Sequence, residues 1–195
     1  MKASGVALVT GASRGMGRAV ALELAARGFE VAREEIRVVR DWNKWLLPLP
    51  LLPLLPFLPL YLLSGAFRRL WHRHFHQPEQ AIRALRHSDV AGFDHVLIGT
   101  PKWLYLSFPV ARWLTLVRGL DGRLRRRGLG GWRGLDGRRV SAFATFCGPP
   151  LQVFELEMLF VPLDARLRAR GAEVGDHLAI SSDYHPYFFF GEMEA

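Results

Sequence analysis

The chain has little of several things, and each shortage excludes something. It has one cysteine, Cys147, among 195 residues. That excludes an intrachain disulfide framework and any metal site built from several cysteines, and it fits a reducing compartment. It has one asparagine, Asn43, and three lysines, Lys2, Lys44 and Lys102. The first apolar run, residues 6–9, is too short for the h-region of a signal peptide, and the Gly/Ser/Arg stretch behind it has no cleavage-site character. No basic face with interleaved aromatics forms a known nucleic-acid module, so nucleic acid is not an expected partner. The one long charge-free stretch, residues 46–63, is broken by Pro48, Pro50, Pro53, Pro56 and Pro59. An interior proline costs a helix ~3 kcal/mol, which disfavours a straight transmembrane helix despite a reach of about 27 Å.

What is present is ordinary for one globular domain: half the residues are hydrophobic, enough to bury a core. The formal charge of +8 is carried mostly by arginine. Such a balance attracts phosphates, nucleotides or anionic surfaces, although most of these arginines are read as surface solvation.

The periodicity alternates between short apolar runs and helical patterns. Strands are predicted at 6–9, 30–39, 95–99, 140–145 and 177–180, the second nearer the sheet edge because charge interrupts it. Helices are predicted at 18–27, stopped by Gly28; at 78–86, opened by Pro78; at 108–120; and at 151–170, broken or bent at Pro162 and ended by Gly171. Five strands alternating with helices specify a parallel sheet covered on both faces, a three-layer α/β/α domain spanning residues 1–195. Two insertions interrupt it, 41–77 and 119–136. The second lies around a repeated Arg-Gly-Leu-Asp-Gly-Arg, at 118–123 and 133–138, and reads as a duplicated surface loop. The aromatic tail at 184–190 fits no predicted element. In a parallel sheet the ligand sits at the carboxyl ends of the strands, so the chemistry is expected in the loops after the first, third and fourth strands.

The first of those loops is glycine-rich: Thr10-Gly11-Ala12-Ser13-Arg14-Gly15-Met16-Gly17. After a strand and before a helix, it lets backbone N–H groups approach a phosphate at the positive end of the helix dipole. By itself it resembles the cofactor loop of short-chain dehydrogenases, T-G-x-x-x-G-x-G. That resemblance covers about the first thirty residues. The family's Tyr-x-x-x-Lys pair does not occur among Tyr61, Tyr105, Tyr184, Tyr187 and the three lysines, and its Asn-Asn-Ala-Gly element has no counterpart.

The second half resembles the flavodoxin-like superfamily. Residues 93–103, Phe-Asp-His-Val-Leu-Ile-Gly-Thr-Pro-Lys-Trp, are similar to its Y-D-x-x-x-x-G-T-P-x-W, and Pro109 opens a segment like its P-x-x-x-F-L. Residues 137–148 are similar to its fourth strand, G-K-x-V-x-x-F-x-T-x-x-G, and 170–174 to its usual ending. The resemblance covers most of residues 93–182 and implies a flavodoxin-like fold holding FMN. Ser13, Arg14, Gly15, Met16, Gly17 and Arg18 then occupy the place of the phosphate loop, without its threonines and one residue short. Backbone donors would hold the phosphate, with Arg14 or Arg18 supplying charge.

The same resemblance places Thr100, Pro101, Lys102, Trp103 and Tyr105 beside the flavin ring. Either Trp103 or Tyr105 could stack on it, and packing of Trp103 under the neighbouring loop is an equal alternative. Thr145, Phe146, Cys147 and Gly148 would form the second ring loop. Cys147, with no histidine or aspartate partner in sequence, reads as a buried thiol. Lys102 reads as solvated. His72, His74 and His76 would share one face of a strand, but no second ligand cluster supports a metal, and a solvated basic segment is preferred.

The proline-leucine stretch is read either as an apolar flap over the flavin, the preferred placing, or as a segment dipping into a membrane surface between Trp42, Trp45, Trp71 and arginines. The run from Glu30 to Arg37 with its insert also loosely resembles flavodoxin-like dialkylresorcinol condensing enzymes. Together these resemblances imply an FMN-dependent NAD(P)H oxidoreductase with a quinone or other apolar acceptor. The alternatives are an electron carrier of flavodoxin type, an NAD(P)-binding relative of the short-chain dehydrogenases, and a membrane-associated accessory protein that binds no cofactor. No side chain is required as acid or base, because the flavin carries the redox chemistry. A cytoplasmic location with peripheral membrane contact, and a homo-oligomer, complete the expectations.

Overall fold

The computed structural model describes residues 5–11, 15–40, 49–74, 78–101, 105–118, 139–146, 152–181 and 186–189. Strand β1 (Val6–Thr10) leads into helix α1 (Gly15–Ala26), which ends at Gly28 with φ 94°, and the chain returns as β2 (Glu30–Glu34). A 3-10 helix (Leu49–Phe57), α2 (Leu58–Leu63) and α3 (Gly65–His74) make up the described part of the first insertion. The core resumes with β3 (His95–Pro101), α4 (Phe108–Leu116), β4 (Arg139–Phe146), α5 (Gln152–Arg168), the short β5 (Glu173–Val174), β6 (His177–Ser181) and β7 (Pro186–Phe189).

The sheet runs β2-β1-β3-β4-β6-β7, with β5 paired to the lower part of β4. All pairings are parallel except β6 with β7. Counted over the five main strands this is the order 2-1-3-4-5, the doubly wound order of the flavodoxin-like fold. β2 lies at the edge, where its broken apolar pattern put it.

Alternation along each strand divides the core between two faces. Leu8, Val96, Ile98, Val140, Ala142, Ala144 and Ala179 face α4 and α5, packing on Trp113, Leu114, Leu159, Phe160 and Leu163. Val9 and Phe143, with Leu97 and Leu178, face α1 through Ala21, Met16 and Leu24. Three layers result.

Four sequence expectations are corrected. Residues 78–86 form no helix. Val39 N–H donates to the Ala81 carbonyl and Arg83 N–H to the Arg37 carbonyl, so this backbone bonds sideways to residues 37–39. The second strand stops at Glu34 instead of running to 39. α5 passes unbroken through Pro162, held by Leu159, Phe160, Leu163 and Leu167, all fully buried. The histidines belong to a helix: His72 and His74 are both on α3, where residues two apart do not share a face. His76 lies outside the described residues. Part of the aromatic tail, left without a place by its sequence, adds β7 to the sheet. The insertion at 119–136 and the second copy of its repeat fall outside the described residues.

Candidate functional site

The β1/β3 boundary is where the strand order reverses, with β2 to one side and β4 to the other. Its ladder stops early. Backbone pairing of β1 with β3 ends at Val9↔Leu97, while β1/β2 continues to Thr10↔Glu34 and β3/β4 to Pro101↔Thr145. Beyond that point a side chain takes over: Gly99 N–H donates to Thr10 Oγ1 at 2.9 Å, fully buried. Two glycines make the close approach. A Cβ at Gly99 would stand 2.6 Å from the Thr10 carbonyl oxygen and 2.6 Å from Phe143 Cζ, and one at Gly11 would stand 3.3 Å from the Gly99 carbonyl oxygen. The backbone of Gly99 is thus held against the Thr10 carbonyl on one side and the Phe143 ring on the other. Gly11 turns the chain at φ 68° and Gly15 at φ 54°, a region that glycine adopts without strain.

Above this floor stands the start of α1. Gly15 has open space where a Cβ would be, Gly17 is buried, Met16 packs toward the α1 face of the core, and Arg18 is exposed on the first turn. The first turn of α1 has no acidic residue, so its free N–H groups and partial positive charge are unopposed from within the helix. Ser13 and Arg14 lie outside the described residues, directly between Gly11 and this turn.

Thr100 is buried, and Pro101 ends β3 at the same rim. Lys102 and Trp103 lie outside the described residues. Tyr105 is 3% exposed, its ring stacked on Phe108 with centroids 5.2 Å apart. Burial pushes its phenol up to about 12. The ring is thus a core group, which leaves Trp103 as the aromatic candidate for a ring-facing role. Thr145 and Phe146 close β4 at the rim, paired with Pro101 and Ser181. Cys147 and Gly148 follow immediately, outside the described residues. All three expected loops leave the sheet at one edge.

One group that sequence reasoning missed bears on which nucleotide fits. Glu34 ends β2 next to the glycine turn, where a dinucleotide fold places the carboxylate that grips the adenosine ribose. Here it is 1% exposed and already occupied. Its oxygens accept from Arg86 N–H (3.2 Å) and His87 N–H (2.7 Å), and one lies 3.1 Å from His87 Nδ1. Its backbone carbonyl accepts from Gly11 N–H. Glu34 ties the loop at 86–87 to the sheet.

Elsewhere the titratable groups serve packing. A cavity of ≈ 190 Å³ lies at the far end of α4 and α5, lined by Glu79, Leu114, Thr115, Arg166, Ala169 and Arg170. Arg170 donates to the carbonyls of Thr115 and Val117 at the end of α4, which is how a helix C-terminus is satisfied, and Arg166 donates to the Ala111 carbonyl within α4 and pairs with Glu79. His72 is not solvated as expected. Its Nε2 lies 3.1 Å from the Tyr61 hydroxyl, and burial with the neighbouring Arg68 lowers it to about 4. Among the described residues no group of three or more metal-ligating side chains could hold an ion.

No protein-family model matches the sequence, and no curated protein matches it. Among solved structures, the chain is similar to an azoreductase from Bacillus anthracis str. Sterne, at 14% identity over 92% of this chain and 87% of that one, with a TM-score of 0.44.

Proposed function

We propose that the protein is an FMN-binding oxidoreductase that passes electrons to an apolar, quinone-like acceptor. The observation that carries this reading is the floor at the β1/β3 reversal, made by Thr10, Gly11 and Gly99 beneath the open first turn of α1. In a sheet of order 2-1-3-4-5 this is the place of a mononucleotide. The residues there suit the group. Backbone N–H groups from Gly15 to Arg18 would hold the phosphate, with Arg18 and Arg14 adding charge. The segments 100–103 and 145–148 would flank the ring, and Trp103 would stack on it.

Bound FMN supplies hydride acceptance and electron release. The chain supplies position. Thr10 and Gly99 fix the floor, the α1 N-terminus would orient the phosphate of the bound group, and Trp103 would shield its ring from water. NAD(P)H is the expected reductant and the cytoplasm the expected location. The electron-carrier reading shares this site but not the basic charge, since carriers of this type tend to be acidic.

The test is an absorbance spectrum of the purified chain with FMN titrated in, followed by rapid mixing with NADPH. A yellow protein, or a rise in melting temperature with FMN, and direct bleaching by NADPH are expected. A colourless chain that FMN does not stabilise overturns the reading. A yellow chain that NADPH does not reduce reassigns it as a carrier.

A further inference from the structure

The first insertion contains a pattern that the proposed redox chemistry does not use. Residues 49–60 read Leu-Pro-Leu, Leu-Pro-Leu, Leu-Pro-Phe, Leu-Pro-Leu, a tripeptide repeated four times with one change. A repeat of three matches a 3-10 helix, which has three residues per turn, so each position of the tripeptide forms its own row. Pro53 and Pro56 fall on one row, Leu52 and Leu55 on the next, Leu54 and Phe57 on the third. Leu58 extends the leucine row into α2.

The insert packs partly on itself and is tied to the domain through α3. Leu54 and Tyr61 are buried. Tyr61 meets His72, and Arg68 on α3 pairs with Glu157 on α5 at 2.9 Å while donating to the carbonyls of Tyr61 and Leu62. The Arg68–Glu157 pair anchors α3 to α5. The exposed side chains of the insert are mostly apolar: Leu52, Leu55, Phe57, Leu58, Leu60, Leu62, Leu63 and Leu70, with Leu55 at 59% and Leu63 at 87%. The described residues expose few other large hydrophobic side chains, so the exposure is concentrated here. An apolar surface gathered on one element marks an interaction site.

Charge selects the partner. Residues 42–78 contain neither aspartate nor glutamate, but include Lys44, Arg68, Arg69 and Arg73. Exposed Arg69 sits beside Leu70, and Phe57, Phe67 and Trp71 form a line of rings at 6.0 and 6.4 Å along the edge of the leucine surface. Exposed leucines with the exposed Arg69 and aromatic rings beside them match a bilayer interface with anionic headgroups. A second copy fits poorly, because a two-fold interface through this surface would bring the exposed Arg69 toward its own copy with no acid in residues 42–78 to offset it. The insert also docks on the part of α5 that follows β4 from the rim, so it stands at the same end of the sheet as the reversal point.

We infer that this insert is a peripheral membrane-docking element, seating its exposed leucines in the headgroup–acyl boundary of an anionic bilayer. The test is flotation of the full chain with phosphatidylcholine vesicles, with and without phosphatidylglycerol. The variants are the triple substitution Leu52→Ser, Leu55→Ser, Leu58→Ser, and separately Arg69→Glu. All four side chains are exposed, so melting should be unchanged. The wild-type chain is expected to float with phosphatidylglycerol vesicles and to be weakened by added salt. The triple variant should lose about tenfold or more in partitioning, and Arg69→Glu severalfold. A folded wild-type chain that stays at the bottom of the gradient overturns the inference, as does equal flotation of the triple variant. Equal binding to neutral vesicles overturns the anionic assignment. Light scattering that shows a dimer which the triple variant dissolves, without flotation, gives the surface to a second copy instead.

Discussion

His177 shows how one side chain can mend a sheet. Strand β5 pairs with β4 at Arg139 and Val140, and β6 resumes only at Phe143, so the ladder has a gap between them. The Ala142 N–H in that gap donates to His177 Nδ1 at 2.9 Å. A nitrogen that accepts carries no hydrogen, so the hydrogen sits on Nε2 and is donated to Asp164 Oδ1 at 2.6 Å. Phe160 stacks on the ring at 4.7 Å. Both ring nitrogens are thus bonded within the core. His177→Leu would strand the Ala142 N–H and leave Asp164 buried without this donor, a loss of about 3–5 kcal/mol. Urea denaturation should show it as a lower midpoint, while FMN affinity of the folded fraction stays the same. A change below ~1 kcal/mol would mean the gap is bridged another way. The sequence places His177 at the start of a strand but cannot show Asp164 as its partner. The two are joined by packing of α5 against the sheet, and no local spacing records that.

Among the elements, those whose apolar pattern matches their burial were readable in advance: β1, β3, β4 and β6, with α1, α4 and α5 as helices. Failures came where a single tertiary contact outweighs local preference. Residues 78–86 have helical composition, yet the Glu34 carboxylate gathers the N–H groups of Arg86 and His87 and holds this backbone open. The histidines of α3 looked like a solvated run because their surroundings come from a proline-bearing insert with no ordinary period. The burial of His72 has a consequence for pH. The unfolded chain takes up its proton near the ordinary 6.5, the folded chain only near 4. Between those values unfolding binds a proton, so stability falls as pH falls, by at most about 3 kcal/mol. Tyr61, raised by its own burial and then by Glu157, stays a neutral hydroxyl across that window. Melting temperatures taken between pH 6.5 and pH 4 should drop for the wild-type chain. His72→Gln keeps a hydrogen-bonding partner for Tyr61 and should drop less. Parallel curves for the two proteins would place the acid sensitivity elsewhere.

For the whole molecule, the question the sequence left open is which nucleotide the glycine loop serves, since its spacing suits a dinucleotide and the second half suits a mononucleotide. Two physical facts separate them, and neither is local. In the common dinucleotide order the third strand continues outward past the second; here it pairs with the first, on the side away from β2. The carboxylate that would meet the adenosine ribose is Glu34, already committed to Arg86 and His87. A dinucleotide would have to break those bonds and leave two backbone N–H groups without their acceptor. The flavin-free chain should therefore bind FMN in calorimetry and show no comparable binding of NADPH or NADH. Glu34→Gln should lower the melting temperature, because a neutral amide is a weaker acceptor for both N–H groups, and should leave FMN affinity within about twofold. Tight NADPH binding to the flavin-free chain, abolished by Glu34→Gln, would mean that Glu34 turns outward to meet the ribose, and the loop would then belong to a dinucleotide after all.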